Sequence, residues 1–180
     1  MKIIKSNNPW EHYVIDDFLP INLYNDLCDY YISNKNEDKP LSYLRDMQSE
    51  DIIKLDSIVQ NDLYPFLVKE GLYKDEDFKP WRSRWHFSSF EPHGRYGKHL
   101  DIKSKVSSLV IYMDPNLSNF PPEQGTILYK DEYGDEGQKQ IKWKPNSGVF
   151  FRRKDNITWH SYANLSSSDY RITLNHNIYK

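Results

Sequence analysis

Cysteine is almost missing from this chain. One residue, Cys28, among 180 excludes an internal disulfide framework and any cysteine-rich zinc site. It lies in a Leu- and Tyr-rich stretch and reads as a small buried hydrophobe. Long hydrophobic runs are missing too. No segment approaches the ~18 apolar residues that span a bilayer. The opening MKIIKSNNPW holds only two consecutive isoleucines, so no signal peptide is visible. A cytoplasmic protein without membrane contact is the expectation. Charge of one sign is also lacking. Lys and Arg number 24 against 26 Asp and Glu, a formal net charge of −2. That balance argues against broad electrostatic binding of nucleic acid or anionic lipid. No G-x-S-x-G elbow, G-x-G-x-x-G turn or P-loop occurs, which leaves serine hydrolase, dinucleotide and nucleotide chemistry without support.

What is present is an aromatic-rich globular chain. Aromatic residues make up 15%, including 14 Tyr. No repeat, low-complexity tract or linker divides it, so residues 1–180 are expected to form one domain. "WEHYVIDDFLP" reads as an entry strand ending at Pro20. Leu23, Leu27, Tyr30 and Tyr31 recur at helical spacing, as do Ile52, Leu55, Val59, Leu63 and Phe66 after a candidate cap at Ser49. Pro65 should kink or end that second helix. After Pro80 the period changes to two. "WRSRWHFSSF", "VSSLVIYM", "VFFRR" and "RITLNHNIY" read as strands, and "TILYKDEYGDEGQKQIKW" as a hairpin. "EPHGRYG" reads as a loop, as does the long "DPNLSNFPPEQG". The pattern gives an α+β fold, with helical support over residues 1–80 packed on one sheet of a sandwich or jelly roll over 81–180.

Two segments carry chemistry. In "GKHLDIKSK", His99 and Asp101 stand two apart, so on a strand they share a face. An H-x-D triplet alone is weak, since roughly half of such chains would hold one by composition. The second segment is "WHSYANLSSSDYRITLNHNIY". Here His160 precedes Arg171 by eleven residues, on a strand that points Arg171, Thr173 and Asn175 one way and Ile172, Leu174 and His176 the other. A buried Arg needs an anion, and its planar fork suits a carboxylate. His99, Asp101 and His160 together form a two-His-one-carboxylate set, the ligand pattern of non-haem Fe(II) oxygenases. Arg171 would then hold the far end of a dicarboxylate cosubstrate. On the alternation of "WRSRWHFSSF", Arg84 and His86 share one face and are candidate substrate-facing residues. The lysines beside the triplet, Lys98, Lys103 and Lys105, read as solvent-exposed.

These motifs, with "EQGTILY" and "WKPNSGVFF", make residues 82–180 resemble the prolyl-4-hydroxylase-like group of Fe(II)/2-oxoglutarate-dependent oxygenases. The "VIDDFLP" entry and its helix fit the same resemblance more loosely. The resemblance implies a double-stranded β-helix (cupin-like) core. It implies iron held by His99, Asp101 and His160, and 2-oxoglutarate held by Arg171 with help from Thr173 and Tyr112. It further implies dioxygen as co-reactant, ascorbate as a candidate reductant, and hydroxylation of a peptidyl (prolyl-type) or small-molecule substrate with release of succinate and CO2. The chain departs from the pattern at Phe90, where the family often has Tyr, and "EPHGRYG" is one residue off the usual spacing. Specificity is expected in the loops at 36–50, 90–98 and 114–125. Two alternatives stay open: a non-catalytic β-helix ligand-binding module, and an oxygenase acting on nucleic acid.

Overall fold

The C-terminal strand organises the molecule. In the computed structural model, which describes residues 1–35, 49–74 and 82–180, this strand, β10 (Arg171–Tyr179), is paired on both edges. One neighbour is β3 (Arg82–Phe90) and the other β5 (Lys105–Met113), both antiparallel. The sheet continues through β8 (Gly148–Arg152) and β2 (His12–Asp16) to β1 (Lys2–Ser6) at its edge. A second, four-stranded sheet runs in the order β4 (Arg95–His99), β9 (Trp159–Ala163), β6 (Ile127–Tyr129), β7 (Lys139–Gln140). The two sheets make the expected α+β double-stranded β-helix.

Alternation on the large sheet divides its two faces. Trp85 and Phe87 of β3, Leu109 and Ile111 of β5, and Ile172, Leu174 and Ile178 of β10 join one apolar cluster with the helices. Helix α1 (Ile21–Asn34) contributes Leu23, Leu27, Cys28 and Tyr31 to it. Cys28 is indeed buried and free, and burial pushes its thiol up to about 11. Leu55, Val59, Leu63 and Leu67 come from the second helical run. Burial of this kind is worth roughly 1.5–3 kcal/mol for each large side chain, so this face anchors the fold.

The second helix does not stop at Pro65. Helix α2 (Ser49–Ile58) widens into a π turn over Val59–Leu63 and resumes as α3 (Tyr64–Lys69). Pro65 sits in the first turn of α3, where its missing N–H costs little. One other reading is corrected: "EPHGRYG" is not all loop, because Arg95 onward forms β4. The entry strand expected before the first helix is β2. Ahead of it lies a strand that was not visible in the sequence, Lys2–Ser6, an edge strand that is mostly exposed. Much of the 36–50 loop and the "KDEDFKP" connector lie outside the described residues.

Glycine is required at two contacts near the site. A Cβ on Gly148 would collide with the Val110 carbonyl, and one on Gly125 with that of Ile141. Side-chain-free positions let β8 and the end of the 114–125 loop approach their neighbours closely.

Candidate active site

Strand pairing assembles the triplet. His99 on β4 and His160 on β9 are register partners across the small sheet, and their ring centroids lie 4.2 Å apart. Asp101 follows two residues after His99. One potential ligand atom from each of His99, Asp101 and His160 falls within 4.8 Å of the others. Among the described residues this is the sole grouping of three or more such side chains that could hold a metal.

The surroundings suit a metal. His99 Nδ1 lies 2.9 Å from the Gly97 carbonyl and His160 Nδ1 lies 3.0 Å from that of Thr158. A carbonyl can only accept, so both Nδ1 atoms carry hydrogen, which leaves Nε2 as the nitrogen of each ring that could ligate a metal. Burial pushes the His160 imidazole down to about 4, against the pull of Asp101; it is neutral and able to ligate near pH 7. The Asp101 carboxylate accepts from Lys105 Nζ at 2.6 Å and from Ser108 Oγ at 2.8 Å. Burial pushes this carboxyl up, but the charges of His160 and Lys105 and the two hydrogen bonds outweigh it, so the net shift is downward.

Arg171 opens into the same cavity, which measures about 280 Å³. It is 3% exposed. Its Nε donates to the Gln124 carbonyl at 3.0 Å, while Nη2 is buried without a partner. Among the described residues no carboxylate pairs with it. Three rings surround it instead: Tyr162, Trp143 and Tyr112, with centroids 4.8, 5.2 and 5.7 Å from Cζ. Burial pulls the guanidinium below its ordinary value, with Tyr112 and Tyr162 acting the other way. A lone buried cation costs several kcal/mol unless an anion completes it.

The remaining candidates fall into place around these two centres. Thr173 lines the cavity, and its hydroxyl accepts from Asn175 Nδ2 at 3.2 Å. The Tyr112 hydroxyl donates to Thr126 Oγ1 at 3.1 Å and accepts the Thr126 N–H at 3.0 Å. Its ring stacks on Trp143 at 4.7 Å. His86 lines the cavity and its Nδ1 has no partner. Arg84 shares that strand face but is exposed and does not line the cavity. Phe90 packs edge-on against Tyr162 at 5.2 Å.

Several contributors were missed from sequence. Lys98 and Lys105 are not simply solvent-exposed. Lys105 holds Asp101; Lys98 donates to the Gly134 carbonyl at 2.7 Å, reaches Asp135 at 3.1 Å, and stands 4.2 Å over the Tyr129 ring. Gln124, wholly buried, donates to Asn164 Oδ1 at 2.7 Å and accepts the Leu165 N–H at 2.7 Å. It thereby ties the 114–125 loop to the turn after β9 and presents its carbonyl to Arg171. The signal for Tyr162 was available: it stands two residues after His160 on the same strand, hence on the same face. A larger cavity of about 580 Å³ lies between the second helical run and the large sheet, beside Asp56, Tyr64 and His176, but it holds no such ligand grouping.

No protein-family model and no curated protein matches this sequence. Solved structures do match. The viral collagen prolyl hydroxylase of Paramecium bursaria chlorella virus 1, in its 2OG complex, aligns with a TM-score of 0.64 at 17% identity, over 93% of this chain and 94% of that one. A truncated form of the same enzyme gives 0.65 at 17% identity, over 93% and 89%. A prolyl-4-hydroxylase of Pseudomonas putida gives 0.60 at 16% identity, over 94% and 92%. With these enzymes the chain shares the double-stranded β-helix fold along nearly its whole length.

Proposed function

We propose that the chain is a single-domain Fe(II)/2-oxoglutarate-dependent dioxygenase that hydroxylates a C–H bond of a peptidyl (prolyl-type) or small-molecule substrate. One observation carries this reading: a buried guanidinium with no carboxylate partner among the described residues opens into the same cavity as two imidazoles and a carboxylate. An anion at Arg171 and a metal at the triplet would complete both. The fold supports it, since the neighbours are prolyl hydroxylases and one was solved with 2OG.

In this reading His99, Asp101 and His160 hold iron, and Arg171 pairs with the distal carboxylate of 2-oxoglutarate, with Thr173 and Tyr112 beside it. When bound, iron and 2-oxoglutarate supply the oxidation: dioxygen and cosubstrate are consumed, succinate and CO2 leave, and a substrate C–H becomes C–OH. The chain supplies placement. The Gly97 and Thr158 carbonyls fix both imidazoles with Nε2 free. Lys105 and Ser108 orient the Asp101 carboxylate. Tyr112, Trp143 and Tyr162 keep water from Arg171, and a charge-assisted pair is strong in such a dry site.

The test is succinate release. The wild-type protein should produce it only with both Fe(II) and 2-oxoglutarate present. His99→Ala and Asp101→Ala should each lose it by about a hundredfold or more. Full turnover by either variant would refute the assignment. A wild-type protein that takes up no Fe(II), Mn(II) or Ni(II) would be a non-catalytic ligand-binding β-helix instead.

A further inference from the structure

We infer that the cavity takes an anionic small-molecule substrate, one that presents a carboxylate to Lys105; this rests on the oxygenase reading above. The argument is one of charge. Among the described residues Asp101 is the sole acidic side chain lining the cavity, and two cations line it, Arg171 and Lys105. They enter from opposite ends of the β5–β10 pair. Arg171 starts β10, whereas Lys105 is in register with Tyr179 near its end. Asp101 pairs with Lys105 at 2.6 Å. A divalent metal at the triplet and a dicarboxylate cosubstrate change the balance. The metal and Arg171 together neutralise the dicarboxylate and Asp101, whichever carboxylate touches which cation. Lys105 still reaches Asp101, but its charge is then the one in the cavity with nothing left over to balance it, and its side chain is only 15% exposed. A cation this withdrawn from water calls for an anion.

The wall between the two cations fits a small polar guest. On the cavity face, β3 and β10 pair Ser88 with Thr173, His86 with Asn175, and Arg84 with Asn177. Every member is a hydrogen-bonding residue, and His86 Nδ1 still lacks a partner. Ser108 on β5 extends the row beside Asn177. An apolar ring would leave these groups unsatisfied, at about 1–3 kcal/mol for each buried one. Arg84, exposed at the outer end of the row, adds positive potential there. The lowered His86 basicity agrees: burial acts first, then the charges of Lys105 and Arg84. At about 280 Å³ the cavity is at the small end of ligand sites, which begin near ~300 Å³.

The test measures binding rather than turnover. The protein is loaded with Mn(II) and N-oxalylglycine, a non-reactive 2-oxoglutarate analogue, and titrated calorimetrically with free amino acids and hydroxy acids and with the amide of each. Acids that bind should do so roughly tenfold or more tighter than their amides. Lys105→Met should erase that preference and Lys105→Arg should retain it. Equal affinity of acid and amide, no binding by any acid, or tighter binding of an end-capped prolyl peptide than of every acid would overturn the inference. Failure of N-oxalylglycine to bind the Mn(II)-loaded protein, seen before any acid is added, would instead strike the oxygenase reading and this inference with it.

Discussion

The two faces of β10 have the same backbone and opposite purposes. Ile172, Leu174, His176 and Ile178 point to the helices; Arg171, Thr173, Asn175 and Asn177 point to the cavity. All eight are buried. On the helix side Leu174 packs among apolar neighbours and the His176 ring lies tilted against Trp85 at 4.5 Å, beside the larger cavity that His176 and Ile178 help to line. On the cavity side a guanidinium nitrogen is left without a partner. Burial alone therefore does not separate structure from function here. An unpaired buried charge does, because a guanidinium without its anion points to something that arrives from outside.

Substitutions on the two faces should have opposite signatures. The largest effect is expected at Leu174, which is fully buried. Leu174→Ala should cost about 2–5 kcal/mol, read as a lowered urea midpoint, with 2-oxoglutarate affinity of the folded fraction little changed. Arg171→Met should reverse that pattern. Cosubstrate affinity should fall about a hundredfold, or about 2.7 kcal/mol, while the melting temperature of the ligand-free protein holds or rises, because an unpaired buried cation has gone. A variant that unfolds while retaining cosubstrate affinity would make Arg171 a structural residue.

The next effect is a pH dependence on the helix face. Burial, then the charge of His86, pushes His176 down to about 4 in the folded protein, against ~6.5 unfolded. The unfolded chain therefore binds the proton first as pH falls. Stability from this group is full above ~6.5 and is lost as pH drops toward 4, at up to about 1.4 kcal/mol per pH unit. Urea titrations of His176→Leu at pH 7 and pH 5 should show a flatter loss than wild type; an unchanged slope would assign the acid sensitivity elsewhere. The smallest effect is at Thr173. Thr173→Val deletes a hydroxyl beside Arg171, costing about 1 kcal/mol or a few-fold in cosubstrate affinity, and should leave the midpoint nearly unmoved.

Legibility in the sequence followed the same division. β10 and β3 were readable from their alternation, and β5 from its β-branched run, which declares a strand buried on both faces. His99, Asp101, His160 and Arg171 were readable as spacing and chain order, although Asp101 lies beyond the end of β4 and reaches His99 and His160 from there rather than from a shared strand face. β1 was hidden because an exposed edge strand of mixed lysine and isoleucine has no buried face to declare it. β4 was hidden because Gly and Arg occupy it and its pairing slips between Tyr96 and His99. Lys105 needed three dimensions. Four residues from Asp101 means nothing until the chain turns back at 102–105. The Gln124 carbonyl was beyond reach for another reason: a main-chain acceptor leaves no trace in residue type.

The depth of Arg171 also fixes a timetable. The guanidinium is 3% exposed, whereas Tyr96 and Ile102 on the same cavity are 46% and 64% exposed. In the proposed reading a guest would enter among these exposed residues, and the far end of the dicarboxylate would lie deepest, at Arg171. A guest seated near Lys105 and the triplet would stand across that route. In the proposed reaction the dicarboxylate must therefore board first and its succinate remnant disembark last. Steady-state kinetics should show compulsory order, with excess substrate inhibiting by shutting the door on an empty berth.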